Sequence, residues 1–316
     1  MVFHQDTRFL RPAIASVFAQ TFRDLELVLV DNGTGLTTDA LGESGRDPRL
    51  RFVRLPRNEG IPGGHNAGVA AARGEFIALL DYDDVALPQR LELQVAALRA
   101  DPGLGVVSAL AETIDAEDRV TGRVFCLADP AAHRLYTQYW SAVVTPALTG
   151  RREVFTETPY RGEFPVSGDF DFQARVFERW RGHVVPEVLL RYRVYREQTT
   201  QQRGIAIEQS RAAIQLATAR RRAGRPEDLA FAIAIAQGGS LAKIWQRAAT
   251  QSLAEGFPLL AAYHARRLLA LGGAAAAWRA GALALTAWRR APAGERTLAA
   301  RLFLTGPVRA HRLQPA

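Results

Sequence analysis

The sequence predicts an α/β domain with a mainly parallel central sheet over residues 1–203, followed by an all-α region over residues 204–316. Three observations carry that expectation. Apolar runs of strand length, such as Leu27-Val28-Leu29-Val30, break off in polar turns. Segments with apolar residues at helical spacing alternate with those runs, the pattern of parallel strands joined by crossover helices. From about Gly204 the composition shifts to Ala, Leu and Arg at helical spacing, and no strand run recurs.

The elements follow in order. Val2-Phe3-His4 is a short apolar stub, and Asp6 or Thr7 can cap a helix whose face is Leu10, Ile14, Val17 and Phe18. Residues 25–30 read as a strand running into the turn Asp31-Asn32-Gly33-Thr34, and residues 50–55 as another. A glycine-rich connection from Asn58 to Gly68 leads into a small-residue helix, Val69 to Ala72. A strand spans 75–84, a helix shows the face Leu91, Val95 and Leu98, and 104–110 is apolar enough for a further strand. Residues 111–165 are irregular, with a strand expected near 119–127, a helix near 130–139 and an extended piece at 141–145. Gly168 opens a helix to Trp180 with Asp169 and Asp171 at its positive end, and 188–195 reads as the last strand before a polar loop at 196–202. Breaks at Gly224, Gly238-Gly239, Gly256 and Gly272-Gly273 divide the rest into four or five helices, with a frayed end at 314–316.

Composition excludes several classes. Cys126 is the only cysteine, so there is neither an intrachain disulfide nor a cysteine-based zinc site, which favours a reducing compartment. Lys243 is the only lysine and lies in the alanine-rich part, which removes a P-loop and a lysine-bound cofactor. No secretory leader pattern and no uncharged apolar run of spanning length occurs, so the expectation is a cytoplasmic protein. The charge of +8 is uneven: residues 1–204 carry 24 Arg against 27 acids, and 205–316 carry 16 Lys or Arg against 5 acids. Such a basic second half suits contact with anionic lipid at the inner face of the cell membrane, or reflects an arginine-rich genome; nucleic acid is not an expected partner.

Where the strand at 75–84 ends, Asp81, Asp83 and Asp84 place three carboxylates within four residues. Like charges this close repel. Two readings stay open on the residues alone: solvated turn formers, or hard oxygen ligands of a divalent cation at a strand's carboxyl end.

Taken together, five stretches resemble the family 2 glycosyltransferases, which have the GT-A fold, over about residues 2–202. They are Phe9-Leu10 with Ala13 to Val17 and Gln20-Thr21-Phe22; Glu26 to Thr34; Asn58 to Ile61 with Asn66-Ala67-Gly68; Gly74 to Asp84; and Gly168 to Asp171. Each is weak alone, and their order and spacing make the signal.

The resemblance implies an inverting transfer of a sugar from a nucleotide-sugar donor to a glycan, lipid-linked or other envelope acceptor, with a Mn or Mg ion as cofactor. It assigns Asp31 to the donor's base, with Phe3 and Asn66 in the same nucleotide-sugar site. Asp81 and Asp83 match the Asp-x-Asp motif that holds ribose and metal, and Asp84 is a further metal ligand. Asp169 matches the catalytic base that takes the acceptor's proton, although Gly168 replaces the family's usual glutamate. Arg193 or Arg196 is a candidate for the diphosphate.

One departure matters: of the family's first strand only Val2-Phe3-His4 is present, which implies a start placed too far downstream or a truncated gene, and unpaired neighbours in the sheet. Two rival readings follow. One is a glycosyltransferase-like scaffold without activity, motivated by that strand and by Gly168; the other is a nucleotidyltransferase of similar fold.

Overall fold

A computed structural model describes residues 1–5, 8–124, 126–198, 202–297, 300 and 303–304. The expected caps Asp6 and Thr7, residues 199–201 of the polar loop and the end at 314–316 lie outside the described residues. The chain forms two units, residues 1–134 with 141–202, and residues 135–140 with 203–316. Residues 135–140 lie inside the 1–203 range expected for the first domain, yet pack as part of the second unit.

The first unit begins with β1 (Val2–Phe3), α1 (Leu10–Phe18), β2 (Leu27–Asn32), β3 (Leu50–Leu55) and α2 (Gly60–Ala71). β2 lies between β1 and β3 in an all-parallel sheet, with Val2 opposite Val30 and Leu27 opposite Leu50. Leu10 and Ile14 of α1 close one face of it, together with Phe3, Leu27, Leu29 and Leu41. On α2, a Cβ at Gly64 would stand 2.5 Å from Val2 Cγ1, so the helix and the sheet meet at a distance only glycine allows. This explains a difference from the sequence reading. The glycine-rich stretch expected as a connection is helical from Gly60 onward, because close packing outweighs glycine's poor helix propensity.

Next come β4 (Phe76–Ala78), β5 (Val85–Ala86), α3 (Arg90–Ala100), β6 (Leu104–Ile114), β7 (Val120–Arg123) and α4 (Pro130–Tyr136). They are followed by β8 (Thr149–Arg151), α5 (Arg152–Glu157), α6 (Gly168–Arg179) and β9 (Arg181–Arg193). The second sheet runs β4-β8-β6-β9-β5, with β7 on β6. Its pairings are antiparallel except that of β6 with β9, so the expected mainly parallel arrangement describes the first sheet and this one pair. Strand β8 fills the irregular region where the sequence showed no strand, and β9 starts seven residues before Val188.

Among the described residues no ladder joins the two sheets. A cavity of about 520 Å³ lies beside them, lined by Leu25 to Val28 at the start of β2, Gly74 to Leu80 along β4, and Met1.

The second unit is helical: α7 (Gly204–Arg222), α8 (Leu229–Ala236), α9 (Leu241–Ala254), α10 (Pro258–Leu269) and α11 (Ala274–Arg290). Gly224 and Gly256 take the positive φ values, 70° and 79°, that end α7 and α9. Asp228 caps α8 by accepting from Phe231 N at 3.1 Å. Inside, Gln215 donates to Tyr139 O at 2.7 Å and meets His264 Nε2 at 2.9 Å, while Ser252 Oγ meets His264 Nδ1 at 3.1 Å. Burial lowers His264 to about 3, so this imidazole is a neutral packing group. Among the described residues no helix is long and apolar enough to cross a membrane.

Candidate active site

Strand β4 hands over to the carboxylates through Leu79, whose N–H donates to Leu148 O at 2.8 Å. The strand does not continue to Asp84. Instead Asp84 N reaches back to Asp81 O at 3.3 Å and closes a turn, which separates the three carboxylates by depth. Asp81 keeps partial exposure, Asp83 is 6% exposed and Asp84 is fully enclosed.

Residues distant in sequence hold this turn. Tyr195 donates its hydroxyl to Asp83 Oδ2 at 2.9 Å. Arg193 donates its backbone N–H to Asp84 Oδ1 at 2.8 Å and its Nε to Asp83 O at 2.8 Å. Its guanidinium also pairs with Asp118 at 2.6 Å and lies over the Phe9 ring at 4.3 Å. Arg193 is thus a buried clamp on the turn rather than a group presented to a diphosphate, while Arg196 is exposed. Beneath the turn, Arg90 is 1% exposed and donates to Leu79 O at 2.6 Å and Gln94 Oε1 at 3.1 Å. Burial lowers it to about 10, against the pull of Asp84 and Asp81.

The electrostatics follow from that packing. Asp81 is pushed up to about 7 by burial, then by the Asp83 and Asp169 carboxylates, with the Met1 amino group and Arg90 opposing. Burial also raises Asp83, against the hydrogen bond from Tyr195. Asp84 rises well above the carboxylate range through burial and its two neighbours, and its Oδ2 has no hydrogen-bond partner.

Asp169 stands exposed in the first turn of α6, whose preceding residue Ser167 is left-handed at φ 59° and makes no side-chain cap. Its carboxylate is near enough to raise both Asp81 and Tyr160. Asp171 is instead buried and bonded to Arg175 at 2.9 Å, a packing role.

Asp31 sits at the carboxyl end of β2 with no exposed surface. Its Oδ1 accepts from Thr34 N at 2.8 Å and Thr34 Oγ1 at 2.7 Å, and its Oδ2 from Gly35 N at 3.1 Å, so the carboxylate organises its own turn. Asn66 spends its amide on Tyr160, donating to its O at 2.8 Å and accepting from its N at 2.9 Å. That clamp holds Tyr160 between His65, stacked at 4.7 Å, and Phe172, stacked at 4.9 Å. The Tyr160 hydroxyl is buried without a hydrogen-bond partner, beside Asp169 and Asp81. Phe3 has no exposed surface and packs in the core behind the strand end.

The structure therefore gathers Asp81, Asp83, Asp84, Asp169 and Tyr160, while Asp31, Asn66 and Phe3 shape the surrounding backbone. Arg90 and Tyr195 were missed as site residues, and Arg193, expected at the diphosphate, holds the turn instead. The sequence signal for Tyr195 was its place just after the basic, aromatic strand end Arg191-Tyr192-Arg193.

A divalent cation suits this donor set in kind, since hard carboxylate oxygens repel one another here and Asp84 Oδ2 is orphaned. Of the three, Asp81 retains the exposure such an ion needs, Asp83 keeps 6% and Asp84 none. Among the described residues no three His, Cys, Asp or Glu side chains are gathered closely enough to enclose a metal.

Comparison with known proteins adds independent support. Residues 1–157 match the family described as glycosyl transferase family 2. An uncharacterised glycosyltransferase of Methanocaldococcus jannaschii is 25% identical over 201 residues, 61% of this chain and 68% of its own length. The succinoglycan biosynthesis protein ExoO of Rhizobium meliloti is 45% identical over 89 residues, 28% of this chain and 25% of its own. The chain thus spans a quarter of ExoO's length. The crystal structure of Staphylococcus aureus TarS 1-349 in complex with UDP-GlcNAc superimposes with a TM-score of 0.57 at 14% identity, over 84% of this chain and 86% of that one. At that identity the likeness speaks for the fold.

Proposed function

The chain belongs to glycosyl transferase family 2 and has the GT-A fold, and from that premise we propose that it transfers a sugar, with inversion, from a nucleoside-diphosphate donor to a glycan or lipid-linked acceptor. The observation that carries the reading is that the Asp83 and Asp169 carboxylates both lie near enough to raise Asp81, which supports an Asp-x-Asp motif beside a separate, exposed carboxylate. The UDP-GlcNAc complex of TarS supports a nucleotide-sugar as donor, and ExoO supports a polysaccharide as product.

In this mechanism Asp169 accepts the proton of the acceptor hydroxyl. The freed oxygen forms a bond to the anomeric carbon from the face opposite the leaving group, so the configuration inverts. The bond from that carbon to the diphosphate oxygen breaks, and its electron pair leaves with the nucleoside diphosphate. Asp81 and Asp83 would hold a Mn or Mg ion, which would supply the positive charge that offsets the charge developing on the leaving diphosphate. Asp84 lies behind them, its Oδ1 fixed by Arg193. The proposed setting is the cytoplasmic stage of envelope glycan assembly, peripheral at the membrane.

Asp169→Asn tests the base. Binding of a nucleoside diphosphate with Mn, read by calorimetry, stays within about twofold of wild type while transfer falls by about 10²-fold or more. Equal transfer rates for the two proteins would remove Asp169 as the base.

A further inference from the structure

Helix α11 (Ala274–Arg290) packs Leu283 half-buried against the helical core but leaves its other bulky apolar side chains outside. The residues it buries are Ala280, Ala284 and Ala287, while Trp278 is 76% exposed, Leu285 48% and Trp288 41%. A helix that serves only its own core turns its bulky apolar side chains inward. At 3.6 residues per turn, Trp278, Leu285 and Trp288 fall within about 80° of arc on the outer side. Arg289 is exposed on that same side, and Arg279 and Arg290 flank it. The helix contains no acidic residue, and Glu295 is the only acid after residue 257.

From this face we infer that α11 lies on an anionic membrane surface, with the two tryptophans and Leu285 entering the headgroup boundary and the arginines meeting lipid phosphates. The chemistry matches interfacial helices, in which bulky apolar groups on one side combine with a cationic flank. A second copy of the chain is the poorer occupant, because a symmetric pairing through this face would set Arg279, Arg289 and Arg290 against themselves. Alanine-rich composition alone argues against membrane affinity, since alanine contributes little on transfer to lipid. The fold answers that objection by turning Ala280, Ala284 and Ala287 inward and leaving Trp278, Leu285 and Trp288 outside. The helix rests on the surface rather than crossing it, as no described helix is long and apolar enough to span. The inference specifies the surface for the peripheral setting proposed above, but its test reads lipid binding and not transfer.

The experiment is flotation of the full chain with vesicles of phosphatidylcholine alone or mixed with phosphatidylglycerol, for wild type, the double variant Trp278→Ser, Leu285→Ser, and Arg289→Glu. Wild type should float with the anionic vesicles and less with the neutral ones. The double variant should bind about tenfold more weakly or worse, given the apolar area withdrawn. Arg289→Glu should lose affinity as well, and added salt should weaken wild type. Melting temperature and nucleotide binding should not move in either variant, because the altered residues are exposed and lie in the other unit from the candidate active site. Absence of wild-type binding to anionic vesicles overturns the inference, as does equal binding by the double variant. A concentration-dependent dimer that the double variant abolishes would assign the face to a second copy instead. Should the double variant misfold, Arg289→Glu decides alone, and unchanged anionic binding by it overturns the inference.

Discussion

Replacing Asp81 by Asn should make the metal-free protein more stable at neutral pH while removing its metal-supported donor binding. The Asp81 carboxyl has its pKa raised from 3.8 to about 7, by burial first and by Asp83 and Asp169 next. A folded-state pKa above the unfolded value means that the folded chain holds the proton longer. The resulting stability is complete below about pH 3.8 and is lost as pH rises through about 7. A shift of about three units at about 1.4 kcal/mol per unit sets a ceiling of about 4 kcal/mol on the cost of ionising this group. Asn carries no charge to ionise, so the variant should escape part of that cost, by about 1–3 kcal/mol at pH 8 once partial exposure and relaxation are allowed for. The buried amino group of Met1, lowered to about 6, acts with the opposite sign between about pH 6 and 8, so the two proteins are compared at each pH. Hydrogen exchange of the amides in β2 and β4 reports the first unit alone. If Asp81→Asn protects those amides no better than wild type at pH 8, or if the difference between the proteins is the same at pH 4.5 and pH 8, the electrostatic account of the turn is wrong.

Two further substitutions probe the support of the turn. Tyr195→Phe removes the donor to Asp83 Oδ2, and nucleoside diphosphate binding in the presence of Mn should weaken by about five- to tenfold with little loss of stability, as calorimetry and a melt would show. Arg90→Met leaves Asp81 and Asp84 without their buried cation and Leu79 O without its donor; urea denaturation should register a loss of about 2–4 kcal/mol.

How much of this was legible depends on how local each signal is. Strands β2, β3 and β6 were visible because their apolar periodicity lies within a few residues, and the helices of the second unit because glycines mark their ends. The carboxylate run was visible for the same reason, as a charge cluster directly after an apolar segment. Strand β8 was not, since three residues, Thr149–Arg151, become a strand only through pairing with Phe76–Ala78 and with β6. Helix α2 misled, because Gly64 is helical for the sake of its contact with Val2, not for its propensity. Tyr195 and Arg193 reach the turn across 112 and 110 residues of sequence, a link that no periodicity reports. Asp31 also reads locally as a turn former, and its hydrogen bonds to Thr34 and Gly35 describe that part of its role.

The six residues 135–140 carry a consequence for how this chain can be cut and recombined. Gln138 donates to Gln215 O at 2.8 Å, Tyr139 meets the Tyr263 ring at 5.3 Å, and Trp140 lies beneath the Arg211 guanidinium at 4.1 Å. The polypeptide therefore passes between its units three times, after residues 134, 140 and 202, and not once. A gene fragment ending near residue 203 would produce the sheets together with an orphaned hook whose aromatic side chains had lost their packing. Replacement of the helical unit in this chain thus requires two segments, 135–140 and 203 onward, to be exchanged together.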